Sequence, residues 1–167
     1  MNALTLLKND HKTVNGLFKQ FEKIADSEGK QAEAKKKTIV QSIIKELSVH
    51  ASIEEQIFYP AIRKAMKKDD EDDVLEALEE HHIVKWLLSE LDGMSPSAER
   101  FDAKVTVLME NVRHHVKEEE QELFKKVRKA MDVKALNTLG AMMEKAKKLV
   151  PTRPHPRAPR PLSTHLF

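Results

Sequence analysis

Apolar residues return at every third or fourth position through most of the first 150 residues, the period of a helix with one buried face. Leu4, Leu7, Val14, Phe18 and Phe21 mark a first stripe, and Ile39, Ile43, Leu47, Ile57 and Phe58 a second. Val74, Leu78, Val84, Leu88 and Leu91 mark a third, and Phe101, Val105, Leu108, Val112, Leu123 and Val127 a fourth. Breaks are sparse, because the chain has only four glycines. They fall where helices should end: at Ser27-Glu28-Gly29, between Lys68 and Asp73, and at Gly93-Met94-Ser95-Pro96. Ser95 is expected to cap a helix that begins at Pro96. Pro60 is expected to bend the second helix or end it near Tyr59, since proline removes a backbone donor. Four long helices with short connections pack most simply up-down-up-down. The expected fold class is all-α: an up-down-up-down four-helix bundle with an additional C-terminal helix. Asp132 is expected to cap that fifth helix, which carries Val133, Leu136, Leu139, Met143 and Leu149 and ends by Val150. The bundle domain thus covers residues 1–150. Residues 151–167 hold five of the seven prolines and are expected to form an extended Pro/Arg-rich tail.

At 167 residues the chain has room for one domain with a substantial core. Its 29 basic and 27 acidic side chains give a formal charge of +2, but Arg153, Arg157 and Arg160 lie in the tail. Residues 1–150 therefore carry 26 basic and 27 acidic groups, which argues against a nucleic-acid surface. No apolar run exceeds three residues, so no segment is expected to span a bilayer. Cysteine is absent, which excludes disulfides, thiolate metal sites and cysteine nucleophiles. Met1 to Lys12 lack the charged start and apolar centre of a secretory signal, so the expected compartment is the cytoplasm.

The stripes also contain residues foreign to an ordinary core. The first passes through His11, the second through His50 and Glu54, the third through His81, and the fourth through His115 and Glu119. A His-x-x-x-Glu pair puts a nitrogen and an oxygen on one helix face. The pattern repeats: His50-x-x-x-Glu54-Glu55-Gln56 matches His115-x-x-x-Glu119-Glu120-Gln121. Likewise His11-x-x-Val14-x-x-Leu17-Phe18 matches His81-x-x-Val84-x-x-Leu87-Leu88. Each half is a His helix followed by a His-x-x-x-Glu helix. The register selects His81 over His82 and His115 over His114. It also sets aside Glu79-x-x-His82, a ferritin-like pair with no counterpart in the other half. Two buried, unpaired carboxylates would each cost about several kcal/mol, so a cation among them is expected. Imidazole and carboxylate together suit first-row metals such as iron. Six such ligands are too many for one zinc and fit two metals bridged by carboxylates.

In these residues the chain resembles the hemerythrin-like family, the HHE cation-binding domain. The resemblance rests on the order His11, His50-x-x-x-Glu54, His81, His115-x-x-x-Glu119. It extends to the flanks Asp10-His11, Glu54-Glu55-Gln56-x-Phe58-Tyr59-Pro60 and Glu80-His81, and covers most of residues 1–130. It implies two irons per chain as an oxo- or hydroxo-bridged pair. His11 and His50 would hold one, His81 and His115 the other, with Glu54 and Glu119 bridging. The chain departs from the oxygen-carrying members, which hold a second histidine on helix 3. The positions four before and after His81 are Ala77 and Lys85. Glu119 stands where those carriers use an aspartate one position later, and Lys125 stands where the first half has Pro60. Tyr59 and Glu55 are candidates to fill the position this leaves. The expected function is a non-haem di-iron protein that binds or reacts with O2, peroxide or nitric oxide. The alternative is an iron- or redox-responsive regulator whose stability, and hence binding to a protein partner, follows metal occupancy.

Overall fold

The computed structural model describes residues 1–154, so residues 155–167, with His155, His165 and most of the expected extended tail, lie outside the described residues. Helix α1 (Ala3–Ile24) starts where the Asn2 side chain accepts from the Thr5 N–H at 2.9 Å, satisfying a donor that has no partner in the helix. Gly29, at φ 98°, turns the chain into α2 (Lys30–Ile53) through a conformation that side chains rarely adopt. A single wide turn, Glu54–Phe58, carries α2 into α3 (Tyr59–Ala65). After a short 3-10 turn at Lys68–Asp70, α4 (Asp72–Asp92) places two aspartates in its first turn, where they complement the helix dipole. The second half repeats the first. Helix α5 (Phe101–Glu118) runs through a wide turn, Glu119–Leu123, into α6 (Phe124–Ala130). Helix α7 (Val133–Ala146) follows, with Asp132 accepting from the Ala135 N–H at 2.7 Å.

Helices α1 and α2 pair, as do α4 and α5, and contacts of α2 with α4 and of α1 with α5 close the bundle. All regular structure among the described residues is helical. No described helix is long and apolar enough to cross a membrane. The core has two apolar clusters. One gathers Leu4, Leu7, Phe58, Tyr59, Phe124 and the α7 residues Leu136, Leu139 and Met143. The other gathers Phe18, Phe21, Ile43, Leu88, Phe101 and Leu108 at the opposite end. On each long helix the polar stripe residues fall between the two, so they form one buried polar layer across the bundle.

Two expectations change. Pro60 does not end the helix near Tyr59. In the wide turn before it the Tyr59 N–H reaches the Glu54 carbonyl, five residues back, and the helix then continues to Ala65. The ladder is already shifting there, so the missing donor of Pro60 costs little. Proline does not cause the turn, because the second half forms the same turn with Lys125 at the matching position. Ser95 does not cap the fourth long helix. Its carbonyl accepts from Ala98 N–H and its hydroxyl from Ser97 N–H, making a separate turn, and α5 starts only at Phe101.

Candidate metal centre

His11, His50, His81 and His115 are 3–6% exposed and face one another across the layer, with Glu54 and Glu119 at 0% and 3%. Their neighbours His82 and His114 point outward. Donor atoms of His11, His50, Glu54 and Glu119 lie within 4.8 Å of one another, as do those of Glu54, His81 and His115. Each glutamate reaches both halves. Glu54 Oε2 is 3.2 Å from His50 Nε2 and 3.1 Å from His81 Nε2. Glu119 Oε2 is 3.2 Å from His11 Nε2 and 4.0 Å from His115 Nε2.

The outward ring nitrogens decide what the inward ones can do. His11 Nδ1 lies 2.7 Å from Glu120 Oε1, His81 Nδ1 3.1 Å from Glu55 Oε1, and His50 Nδ1 3.3 Å from Asp10 Oδ2. His115 Nδ1 faces Glu80 Oε1 at 3.6 Å, too long for a hydrogen bond but in the same orientation. An ionised carboxylate only accepts, so Nδ1 of His11, His50 and His81 carries a proton, and in its neutral form each of these rings turns the Nε2 lone pair inward. The layer therefore concentrates acceptors. His11 Nε2, His50 Nε2, both oxygens of Glu54 and Glu119 Oε2 are buried without a hydrogen bond. Imidazole nitrogens and carboxylate oxygens converging without donors form a donor set for a cation.

Without a cation, protons offset the charge. Burial lowers the affinity of His50 for a proton, but the Glu54 charge and the bond to Asp10 outweigh it and push His50 up to about 10. Burial likewise lowers the affinity of His81, but the Glu54 and Glu55 carboxylates beside it outweigh burial and raise it to about 9. Burial opposes ionisation of Glu54, yet His50 and His81 hold its carboxyl well below the ordinary range. Tyr59 is 1% exposed and donates its hydroxyl to Glu119 Oε1 at 3.1 Å, 3.3 Å from His81 Nε2. Burial and the charges of Glu119 and Glu54 drive its pKa well above that of free tyrosine, so it stays a phenol.

Glu55 does not point into the layer, because His81 Nδ1 and Lys85 Nζ hold it on the outer side. Of the two residues expected to fill a position at the centre, Tyr59 is the one that lies there. The carboxylates Asp10, Glu80 and Glu120 stand in the sequence pattern only as flanks of the ligands, with no supporting role assigned, and Lys147, which binds Asp10 from just beyond α7, has no place in it. The signal for the carboxylates was an acid beside His11, Glu54, His81 and Glu119, at matching positions in both halves.

An all-helical bundle with a buried layer of four histidines and two glutamates defines a cation-binding helical protein. The model of the hemerythrin HHE cation-binding domain matches residues 2–127, and the chain belongs to that family. It is 33% identical over 128 residues to a DNA nickase of Nostoc sp., covering 77% of this chain and 34% of that one. It is 30% identical over 114 residues to an uncharacterized hemerythrin-like protein of Schizosaccharomyces pombe, covering 68% of this chain and 56% of that one. The chain thus spans between a third and about half of these relatives' lengths. The crystal structure of a hemerythrin HHE cation-binding domain-containing protein from Mycobacterium kansasii shares the fold, with a TM-score of 0.68 and 23% identity over 89% of both chains.

Proposed function

We propose that the chain is a non-haem di-iron protein that binds or reacts with O2, peroxide or nitric oxide, and that residues 1–150 are its working unit. His11 and His50 would hold one iron and His81 and His115 the other, with Glu54 and Glu119 between them. The observation that carries this reading is the convergence of Nε2 atoms from both halves on two glutamates that each reach both halves. Iron bound there supplies redox chemistry toward small oxygen- and nitrogen-containing molecules. The chain supplies the rest. Asp10, Glu55 and Glu120 orient the imidazoles and raise their basicity. Tyr59 keeps its phenol proton and donates it to Glu119 Oε1, which fixes that carboxylate beside His81.

A void of about 20 Å³ lies against the four histidines, walled by Val14, Leu47, Val84 and Val112. The DNA nicking named for the Nostoc relative is not carried over. The chain spans 34% of that protein, and residues 1–150 carry no excess of basic groups. Metal analysis of protein purified with iron tests the reading, with about two metal ions per chain and a near-ultraviolet to visible absorption band expected. A reproducible single ion, with zinc preferred over iron, overturns it.

A further inference from the structure

Among the described residues, two clefts that reach the buried layer differ in charge. The groove between α1 and α5 reaches His11 past Lys12, Arg113, Lys117 and one acid, Glu120, with Arg113 paired to Glu22. The other opening is a cleft of about 140 Å³ between α4 and the end of α5, and it reaches His115. Six carboxylates line it: Asp73, Glu76, Glu80, Glu118, Glu119 and Glu122, and no lysine or arginine does. Lys126 neutralises Asp73 from outside, 2.7 Å away. Glu76 and Glu122 are exposed at the rim, while the innermost carboxylate, Glu119, has a side chain 1% exposed and an Oε2 with no hydrogen bond. Near the mouth, Glu80, Glu118 and the exposed His114 bring three donor atoms within 4.8 Å of one another. Ala77, 5% exposed, leaves the space between rim and layer open.

The fold does not require these acids. Through the internal repeat, Asp73, Glu76, Glu118 and Glu122 correspond to Ala3, Leu6, Ile53 and Ile57, all apolar and packed in the core beneath α7. We propose that the acidic cleft is the route by which a divalent cation reaches the buried histidines. The proposal rests on the metal-binding reading above and adds its path. A cleft lined by one sign of charge concentrates the opposite ion and raises its arrival rate, by about tenfold or more at low salt. The groove on the other side, lined by two lysines, a paired arginine and a single acid, offers no such concentration of negative charge.

The test is the rate of Co2+ uptake by the metal-free protein, followed by stopped-flow absorbance, with ferrous iron under anaerobic conditions as a second probe. Glu76→Gln, Glu118→Gln and Glu122→Gln together should slow uptake about tenfold in dilute buffer, and the difference should shrink at high salt, where charges are screened. Lys12→Gln with Lys117→Gln should leave the rate within about twofold of the parent. The charge-reversing pair Glu76→Lys, Glu122→Lys, at exposed positions, should slow uptake further, and circular dichroism reports whether each variant keeps its fold. Equal rates in the parent and the triple variant, or a larger change in the lysine pair than in the acids, overturn the route while the metal site stands. A parent that takes up neither Co2+ nor Fe2+ overturns the metal reading itself.

Discussion

The two halves of the bundle carry one ligand pattern into different surroundings. Beside the first-half histidines, Ala3, Leu6, Leu7 and Ile53 are buried and α7 lies over them with Leu136, Leu139 and Met143. Beside the second-half histidines, the matching turns carry acids and open to solvent. The helix packing is close on the covered side. A Cβ on Gly140 would stand 2.2 Å from the Met1 carbonyl oxygen and 2.8 Å from the Ala3 nitrogen, so α7 meets the start of α1 only because that residue is glycine. The polar layer tolerates this asymmetry because its geometry is set from within. His11, His50 and His81 are each held by a carboxylate next to the layer, and His115 faces one at longer range.

The largest effect should come from breaking what the halves share. Glu54→Gln removes the one carboxylate common to both groups of donors, and should drop iron content from about two per chain to near zero by elemental analysis. His81→Ala should remove one iron, and the outward-facing His82→Ala and His114→Ala should remove none. Loss of metal from those two controls as large as from His81→Ala would show the layer is not the site.

Removing iron comes next. A ligand bound a thousandfold above its dissociation constant adds about 4 kcal/mol of stability, and a chain of this size shifts in Tm by about 2–4 °C per kcal/mol. Thermal unfolding by circular dichroism should therefore fall by roughly 10 °C on chelation and recover on reconstitution. The metal-free protein should also lose stability as the pH rises. His50 and His81 have folded values of about 10 and about 9, above the ordinary imidazole value of 6.5. Their contribution is complete below about 6.5 and is lost as pH climbs through 9 and 10. Its Tm should fall between pH 7 and 10, while that of the loaded protein should hold steady.

A third measurement compares support between the halves. Glu120 holds His11 at 2.7 Å, whereas Glu80 stands 3.6 Å from His115. Glu120→Gln should weaken metal affinity by roughly tenfold to a hundredfold, the usual cost of losing such a partner. Glu80→Gln should cost less, as read by competition with a chelator. Equal losses would mean the two halves hold their imidazoles equally firmly.

The smallest expected effect concerns the lid. Gly140→Ala forces α7 away from Met1 and Ala3 and should cost about 1–3 kcal/mol, the usual range for overpacking. Amide exchange should rise in α7 and around Leu6 and Ile53, with α4 and α5 unchanged. Exchange that rises in both halves would show that α7 supports the whole layer.

Much of this was legible in the sequence because a helical stripe is a statement about burial. His81 and His115 were distinguished from His82 and His114 by register alone, and the structure buries the first pair and turns the second outward. Asp132 capped its helix as its side chain requires. Other features depend on distances across the fold. Nothing local marks the wide turns at Glu54 and Glu119, which let two successive residues, Phe58 and Tyr59 or Leu123 and Phe124, face the core. Ser95 and Pro96 carry good helix-start chemistry, but the competing turn at Ser95 through Ala98 took their hydrogen bonds. That α7 covers one half only could not be read from its stripe, which fits either side.

The pairing of carboxylates with imidazoles bears on how such a site is assembled. Asp10 serves His50 within the first helix pair, but His11 takes its partner, Glu120, from the second, and Glu55 of the first is lent to His81. One hairpin alone would leave its leading histidine free to spin. Two identical hairpins set face to face would close the circuit, each lending its third carboxylate to its twin. The exchange therefore ties the two hairpins into one layer, although the residues on either side of it form an apolar lid in one half and an acidic cleft in the other.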